Sequence, residues 1–245
     1  MTRFMTLDFA DGDRPALLDQ VAAMARGPYG YVSTPNVDHV IKRMDGRVEA
    51  QVYDGAALKV CDSRILAHLA RLRGKALAVY PGSDLTADLL ASDHDLTIGV
   101  FGPDRAAFDD LVARYPARPL TWIEAPMGLT PGTVVWASAL DAAARAEWDV
   151  LLACISFPKQ ERFAHALGAA GRQTGVVLCV GASVDFLTGR QQRAPRIFQC
   201  LSLEWLHRLM TQPRRMFRRY VIEGPAILGW FVRTELLGSH SSPRA

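Results

Sequence analysis

The stretch "DVLLACISFPKQERFAHALGAA" (Asp149–Ala170) decides the fold. Its first part, Val150–Ile155, is a short unbroken apolar run, as expected of a strand buried on both faces. A proline follows, and from Gln160 to Ala170 the apolar residues recur at helical spacing. Strand, turn and helix in that order are half of a βαβ unit, whose strands pair in parallel.

The alternation extends in both directions. Further strand-like runs are "YGYVS" (29–33), "ALAVY" (76–80), "LTIGVFG" (96–102), "LTWIE" (120–124) and "GVVLCVG" (175–181). Helical periodicity fills Pro15–Ala25, Arg64–Leu72, Leu85–Leu90, Asp104–Tyr115 and Ala137–Glu147. This predicts an α/β fold around a mainly parallel sheet, with no internal repeat and no low-complexity tract. At 245 residues, 49% hydrophobic and 22% charged, the chain has enough apolar surface to form a core.

Near residue 190 the pattern changes, so residues 1–195 are read as the core and 196–245 as an appendage. In "FQCLSLEWLHRLM" (198–210) the residues Phe198, Leu201, Leu203, Trp205, Leu206 and Leu209 share one helical stripe. Pro213 opens a second helical segment, which an apolar tail with a tryptophan follows. Between Arg190 and Arg219 stand eight Arg and a single acid, Glu204, a net +7 against +3 for the whole chain. A basic amphipathic segment suits an anionic membrane surface; a helix packed on the core with a solvated basic face is the other reading. Four cysteines set far apart point to a reducing compartment, with neither a disulfide framework nor a zinc site. The first residues lack the apolar core of a signal peptide, and the longest late apolar stretch, "PAILGWFV", is far short of a bilayer span. The expected location is the cytosol or the inner surface of the membrane.

Ligands of open α/β sheets bind beyond the carboxyl ends of the strands. The residues there are Thr34 and Asn36; Asp62 with Ser63; Gly82, Ser83 and Asp84; Gly102; Pro158, Lys159, Gln160 and Glu161; and Gly181 with Asp185. Small residues, amide donors and carboxylates on one edge suit a phosphate-bearing ligand such as a nucleotide. Each has a plainer reading. Ser83, Asp84 and Asp104 are placed to cap helices, and Lys159, Glu161 and Arg162 to be solvated first-turn charges. No HExxH spacing occurs among the six His, so neither a metal nor another cofactor is expected. The absence of G-x-G-x-x-G, P-loop and G-x-S-x-G patterns argues against a dinucleotide enzyme, a P-loop NTPase and a serine hydrolase.

In order, "TPNVDHV", the Asp of "CDSRIL", "GSDL", "PKQER", "VDFLTGR", "RAP" and "LEWLHRLMTQPRRMFRRY" resemble the WecG/TagA/CpsF group of bacterial glycosyltransferases (glycosyltransferase family 26). The likeness spans about residues 4–220 and is dense from Pro158 to Tyr220. It implies a Rossmann-like core of the GT-E type with a C-terminal, basic, membrane-facing helical appendage. It also implies metal-independent, inverting transfer from a UDP-sugar to a polyprenyl-diphosphate-linked acceptor in polysaccharide assembly, at the cytoplasmic face of the inner membrane. By position the family's base falls on Asp54 or Asp62. Asp62 lies 28 residues after Thr34 and 20 before Gly82, and is favoured by that spacing. The resemblance assigns Thr34 to the catalytic centre with Asp62, and Asn36 and Gln160 to the sugar pocket. Arg208, Arg215 and Arg218 would close over the donor, and Arg193 of the "RAP" string joins the binding set. Where relatives carry an Arg before the "GSDL" string, this chain has Val79.

Two other classes compete. A regulatory protein that binds a nucleotide-sugar without turning it over needs no base, and Asp62 argues against it. A nucleic-acid binder is disfavoured because the late arginines interleave with Leu and Trp at helical spacing. Self-association is left open.

Overall fold

Strands that are apolar on both faces need helices on both sides, and the computed structural model has that layering. It describes residues 1–195, 197–198 and 203–238, the side chain of Arg215 excepted. A short antiparallel hairpin, β1 (Thr2–Phe4) and β2 (Leu7–Phe9), comes first. It leads into α1 (Arg14–Ala25), β3 (Gly30–Ser33), α2 (Val37–Met44), α3 (Ala50–Asp54), β4 (Leu58–Lys59), α4 (Arg64–Arg71) and α5 (Gly82–Ala91). Then follow β5 (Ile98–Phe101), α6 (Arg105–Arg114), β6 (Leu120–Ile123), α7 (Val134–Arg145), β7 (Val150–Ala153), α8 (Lys159–Ala169), β8 (Val176–Cys179) and α9 (Ser183–Leu187). Strands β3 to β8 form one parallel sheet in the order β4-β3-β8-β7-β5-β6. The expected Rossmann-like α/β core is present.

Every residue of β5, β7 and β8 is buried. Their side chains divide between two cores, as the two-residue period of a strand requires. Leu152 and Leu178 pack with Val21, Leu85, Leu89 and Leu111 of α1, α5 and α6. Their neighbours Leu151 and Val177 pack on the other face with Trp136, Phe163 and Leu167 of α7 and α8.

A third core lies beside the sheet and ties the C-terminal helices down. These are α10 (Glu204–Thr211), α11 (Pro213–Phe217) running into a π-helical turn (Arg218–Glu223), and α12 (Ala226–Phe231) with a second π-helical turn (Val232–Leu236). Ile227 and Phe231 of α12 are buried with Phe4, Leu7 and Phe9 of the hairpin, Ile41 of α2 and Leu66 of α4. The side chain of Glu235 accepts from the Met5 amide at 2.7 Å and pairs with Lys75 Nζ at 2.7 Å. Trp230 Nε1 donates to Asp45 at 2.9 Å.

Three expectations differ, and one helix start was not anticipated. "ALAVY" (76–80) is not a strand: it makes one isolated bridge, Val79 to Cys61, while Leu77 and Tyr80 are buried in different cores. An apolar run signals burial, and a connecting segment that crosses between two cores meets that demand without pairing. "TPNVDH" enters a helix, because Asn36 Oδ1 caps α2 by accepting from the amides of Asp38 (3.1 Å) and His39 (3.4 Å). Asp104 caps α6 as expected, but α5 starts at Gly82 with no side-chain cap, so Ser83 and Asp84 lie inside its first turn. Of the stripe 198–210, Leu203 is not helical and the described helix begins at Glu204; residues 199–202 lie outside the described residues.

Gly102, which follows β5, has φ +130°, and a Cβ there would stand 2.5 Å from the carbonyl oxygen of Cys154. Gly102→Ala is therefore expected to lose on the order of 3 kcal/mol of stability. Thermal unfolding checks this; an unchanged melting temperature would show that β5 and β7 separate more easily than their packing implies.

Candidate active site

The carboxyl ends of β3 and β8, neighbours in the sheet, open into a crevice, where ligands of open α/β sheets bind. A cavity of about 540 Å³ fills it, lined from the ends of β3, β4, β7 and β8, the first turn of α5, and the C-terminal helices. Two bonds fix the floor. Thr34 Oγ1 donates to the Cys179 carbonyl at 2.8 Å, and the Gly181 amide donates to Gln160 Oε1 at 2.8 Å. Gly82 fits because its Cα comes close to both: a Cβ there would be 3.3 Å from Thr34 Oγ1 and 3.4 Å from Val180 Cα.

Asp62 sits on this floor, its amide held by the Pro35 carbonyl at 3.0 Å. Burial pushes its carboxyl up to about 7, against the opposing pull of the Arg208 charge; Glu204 adds to the rise and a hydrogen bond from Asn36 offsets part of it. Asn36 Oδ1 already faces the start of α2, so its amide nitrogen is the group that meets Asp62. One side chain thus caps a helix and offsets part of the rise at the carboxyl. Asp54, the competing aspartate, ends α3 and pairs with Arg43 at 2.8 Å, outside the cavity.

Glu161 is fully buried, so it is not a solvated helix-start charge. Gln160 Nε2 donates to its Oε1 at 2.8 Å, while Oε2 has no partner. Burial raises this carboxyl too, to about 7. The pair fixes Gln160, whose two polar ends are held by Glu161 and Gly181. Arg162 makes a salt bridge to Glu49 at 2.9 Å.

The C-terminal helices form the opposite wall. Arg208 lies over the Phe186 ring at 5.2 Å, and Arg218 stands at the rim, paired with Glu223 at 3.1 Å. Arg193 reaches in from the loop after α9 and pairs with Asp84, which Arg14 also holds at 2.9 Å. Together the cavity collects Thr34, Asn36, Asp62, Gly82, Ser83, Gln160, Gly181, Asp185, Arg193, Arg208 and Arg218. Asp84, Gly102, Pro158, Lys159 and Glu161 lie outside its lining, the first and last of these directly behind it. Gly102 follows β5, two strands beyond β8 and so about 10 Å along the sheet. The side chain of Arg215 lies outside the described residues.

Other lining residues had no role in the sequence reading, His39 and Arg219 among them. His39 stacks on Phe157 at 3.8 Å between ring centres and shares a hydrogen bond with Tyr53 at 2.8 Å. Burial, then Arg219 and Lys42, hold its imidazole well below the usual range, so it is neutral. Arg219 lies 3.5 Å from both Asn36 Oδ1 and Asp38 Oδ2. His39 was legible as the residue one helical turn after Thr34-Pro35-Asn36 once that stretch was read as a helix start; Arg219 had no signal apart from the arginine run around it.

A family model, that of the glycosyl transferase WecG/TagA/CpsF family, matches residues 2–241 of the chain.

A carboxyl raised in the folded state binds its proton more tightly there, so its stabilising effect is complete below the unfolded value near 4.5 and is lost as pH rises through about 7. Glu161→Gln keeps the acceptor for Gln160 and removes the ionisation. Its melting temperature is expected to match the parent at pH 5 and to exceed it by several degrees at pH 8.5. Parallel curves for the two proteins across that range would contradict the burial of an ionisable Glu161.

Proposed function

The chain belongs to the WecG/TagA/CpsF family of glycosyl transferases, and on that footing we propose that it moves a hexose or N-acetylhexosamine from a UDP-sugar to a saccharide carried on a polyprenyl diphosphate. Transfer inverts the anomeric carbon and serves the assembly of a surface or secreted polysaccharide. The observation that carries this reading is Asp62, a carboxyl whose proton affinity is set near neutrality, on the floor of a polar cavity rimmed by arginines.

In the reaction Asp62 takes the proton of the acceptor hydroxyl as that oxygen bonds to the sugar's C1. The bond from C1 to the diphosphate oxygen breaks, and its electron pair leaves with UDP. Charge that grows on the diphosphate meets Arg208 and Arg218, with Arg193 beside them, and the amides in the first turn of α5 at Gly82 and Ser83. Arginine's planar fork matches phosphate oxygens. Thr34, Asn36 and Gln160 face the transferred sugar, and Asn36 also hydrogen-bonds the base.

The membrane is met through the C-terminal helices. Phe217, Val221, Ile222, Leu228, Val232 and Leu236 are exposed there, next to Arg214 and Arg218. Among the described residues no helix is long and apolar enough to cross a membrane. We place this exposed face on the cytoplasmic leaflet, apolar side chains among the acyl chains and Arg at the headgroups.

Removing residues 196–245 would strip Ile227 and Phe231 from a core, so point variants are the cleaner test. UDP release over a panel of UDP-sugars, with a lipid-diphosphate-linked hexosamine as acceptor, should show at least one active donor. The rate should rise with pH through an inflection near 7, as Asp62 loses its proton. Asp62→Asn should lower turnover by about 10²-fold or more, yet melt no lower than the parent at pH 8. Normal turnover by this variant, or no UDP release with any donor, would defeat the reading.

Vesicle flotation tests the membrane face. The protein should float with vesicles containing about 30% phosphatidylglycerol, more weakly in high salt, and the double variant Ile222→Asp, Leu228→Asp should stay behind. Equal flotation of both proteins would remove the C-terminal helices from the membrane contact.

A further inference from the structure

A second cavity, of about 240 Å³, opens beside the first and shares Asp62 with it. The common wall also includes Asn36, Asp38, Glu204, Arg208 and Arg219. Beyond that wall the chemistry diverges. The first cavity continues into strand-end glycines, Thr34, Ser83 and Gln160. The second is walled by Val37, Ile41, Ile65, Trp205, Tyr220 and Ile227, with Arg64 at its edge. One side of Asp62 is therefore polar and the other apolar with cationic points.

Arg219 stands in the shared wall with an unmet need. Its Nε is buried and has no hydrogen-bond partner, and its terminal nitrogen makes only 3.5 Å approaches to Asn36 and Asp38. A buried donor without an acceptor is costly, and an anionic ligand in the second cavity would supply one. The cavity also adjoins the exposed apolar surface: Tyr220 and Ile227 line it, while Val221 and Leu228, the next residues along the chain, are exposed.

An inverting displacement needs its nucleophile and leaving group on opposite faces of one carbon. The acceptor must then reach Asp62 from a side that the departing diphosphate does not occupy. We propose that the second cavity is the acceptor subsite, where the acceptor's terminal sugar lies against Trp205 with its attacking hydroxyl at Asp62, and its lipid diphosphate meets Arg219 and Arg64. This rests on the glycosyltransferase reading above. The polar atoms of such an acceptor face Asp62 and the arginines, its first isoprenoid carbons face Ile65 and Ile227, and the rest of the lipid follows the exposed apolar residues into the bilayer.

The test uses the full chain and two probes, UDP for the first cavity and farnesyl diphosphate for the second, followed by titration calorimetry. The parent protein should bind both at once, neither displacing the other. Trp205→Ala and Ile65→Trp, one opening the second cavity and one filling it, should each weaken farnesyl diphosphate by about tenfold or more, the equivalent of one lost apolar or charged contact. UDP affinity, which also reports that the variants are folded, should stay within about twofold. Farnesyl diphosphate that displaces UDP one for one, fails to bind, or binds both variants like the parent would overturn the acceptor subsite and leave the donor site standing. If the parent does not bind UDP, the glycosyltransferase reading falls and the subsite with it.

Discussion

Parallel pairing of β3 with β8 joins stretches of chain that lie about 145 residues apart, and Thr34 Oγ1 on the Cys179 carbonyl closes the end of that pair. Around this junction the first half of the sheet, β3 and β4, meets the last strand of the second. Every group in the main cavity is placed relative to it: Asp62 follows β4 on one side, Gln160 and Gly181 follow β7 and β8 on the other, and Gly82 approaches from above. A slip of one residue in β3 against β8 would turn Tyr31 and Val32 each into the wrong core, so hydrophobic burial on both faces enforces the register on which the polar site depends.

Burial also sets the electrostatics. Asp62 and Glu161 both hold carboxyls near neutrality for the same reason, removal from water, yet they stand in different relations to the cavity. Asp62 faces it, tuned further by Arg208 and Asn36. Glu161 is sealed behind it and holds the Gln160 amide. Two raised carboxyls within one site make the fold less stable at the pH where the base is ready to work, the usual relation between a stable fold and a reactive one.

Much of the fold was legible. Five of the six anticipated strands and the main helices fall where apolar runs and helical spacing put them, because sheet strands buried on both faces and amphipathic helices leave distinct periods. What failed has identifiable physics. "ALAVY" is apolar because it crosses between cores, and composition alone does not separate crossing from pairing. The hairpin at residues 2–9 is too short for periodicity to register, and the start of α2 is marked only by the Asn36 cap, with no apolar period before it. Within the site, strand-end positions located Thr34, Asn36, Asp62, Gly82, Ser83, Gln160, Gly181 and Asp185 of the cavity lining. They could not tell that Glu161 is buried while Gln160 beside it lines the cavity, since that depends on which way the first turn of α8 faces. Nor could they single out Arg219 from its neighbours, because its importance comes from a contact with α2 across the fold.

The clasp between Met5 and Glu235 sets an order of events in synthesis. The hairpin, α2 and α4 emerge from the ribosome early, but their shared core is incomplete until Ile227 and Phe231 arrive to cover it. A partner 230 residues downstream must be translated before the Met5 amide is satisfied. The same late segment carries the arginines of the cavity wall. A nascent chain therefore keeps an apolar flank uncovered and an unfinished active site until the segment up to Glu235 has been made, and a ribosome that stalls near residue 200 would leave a product that is inactive and prone to stick to other proteins.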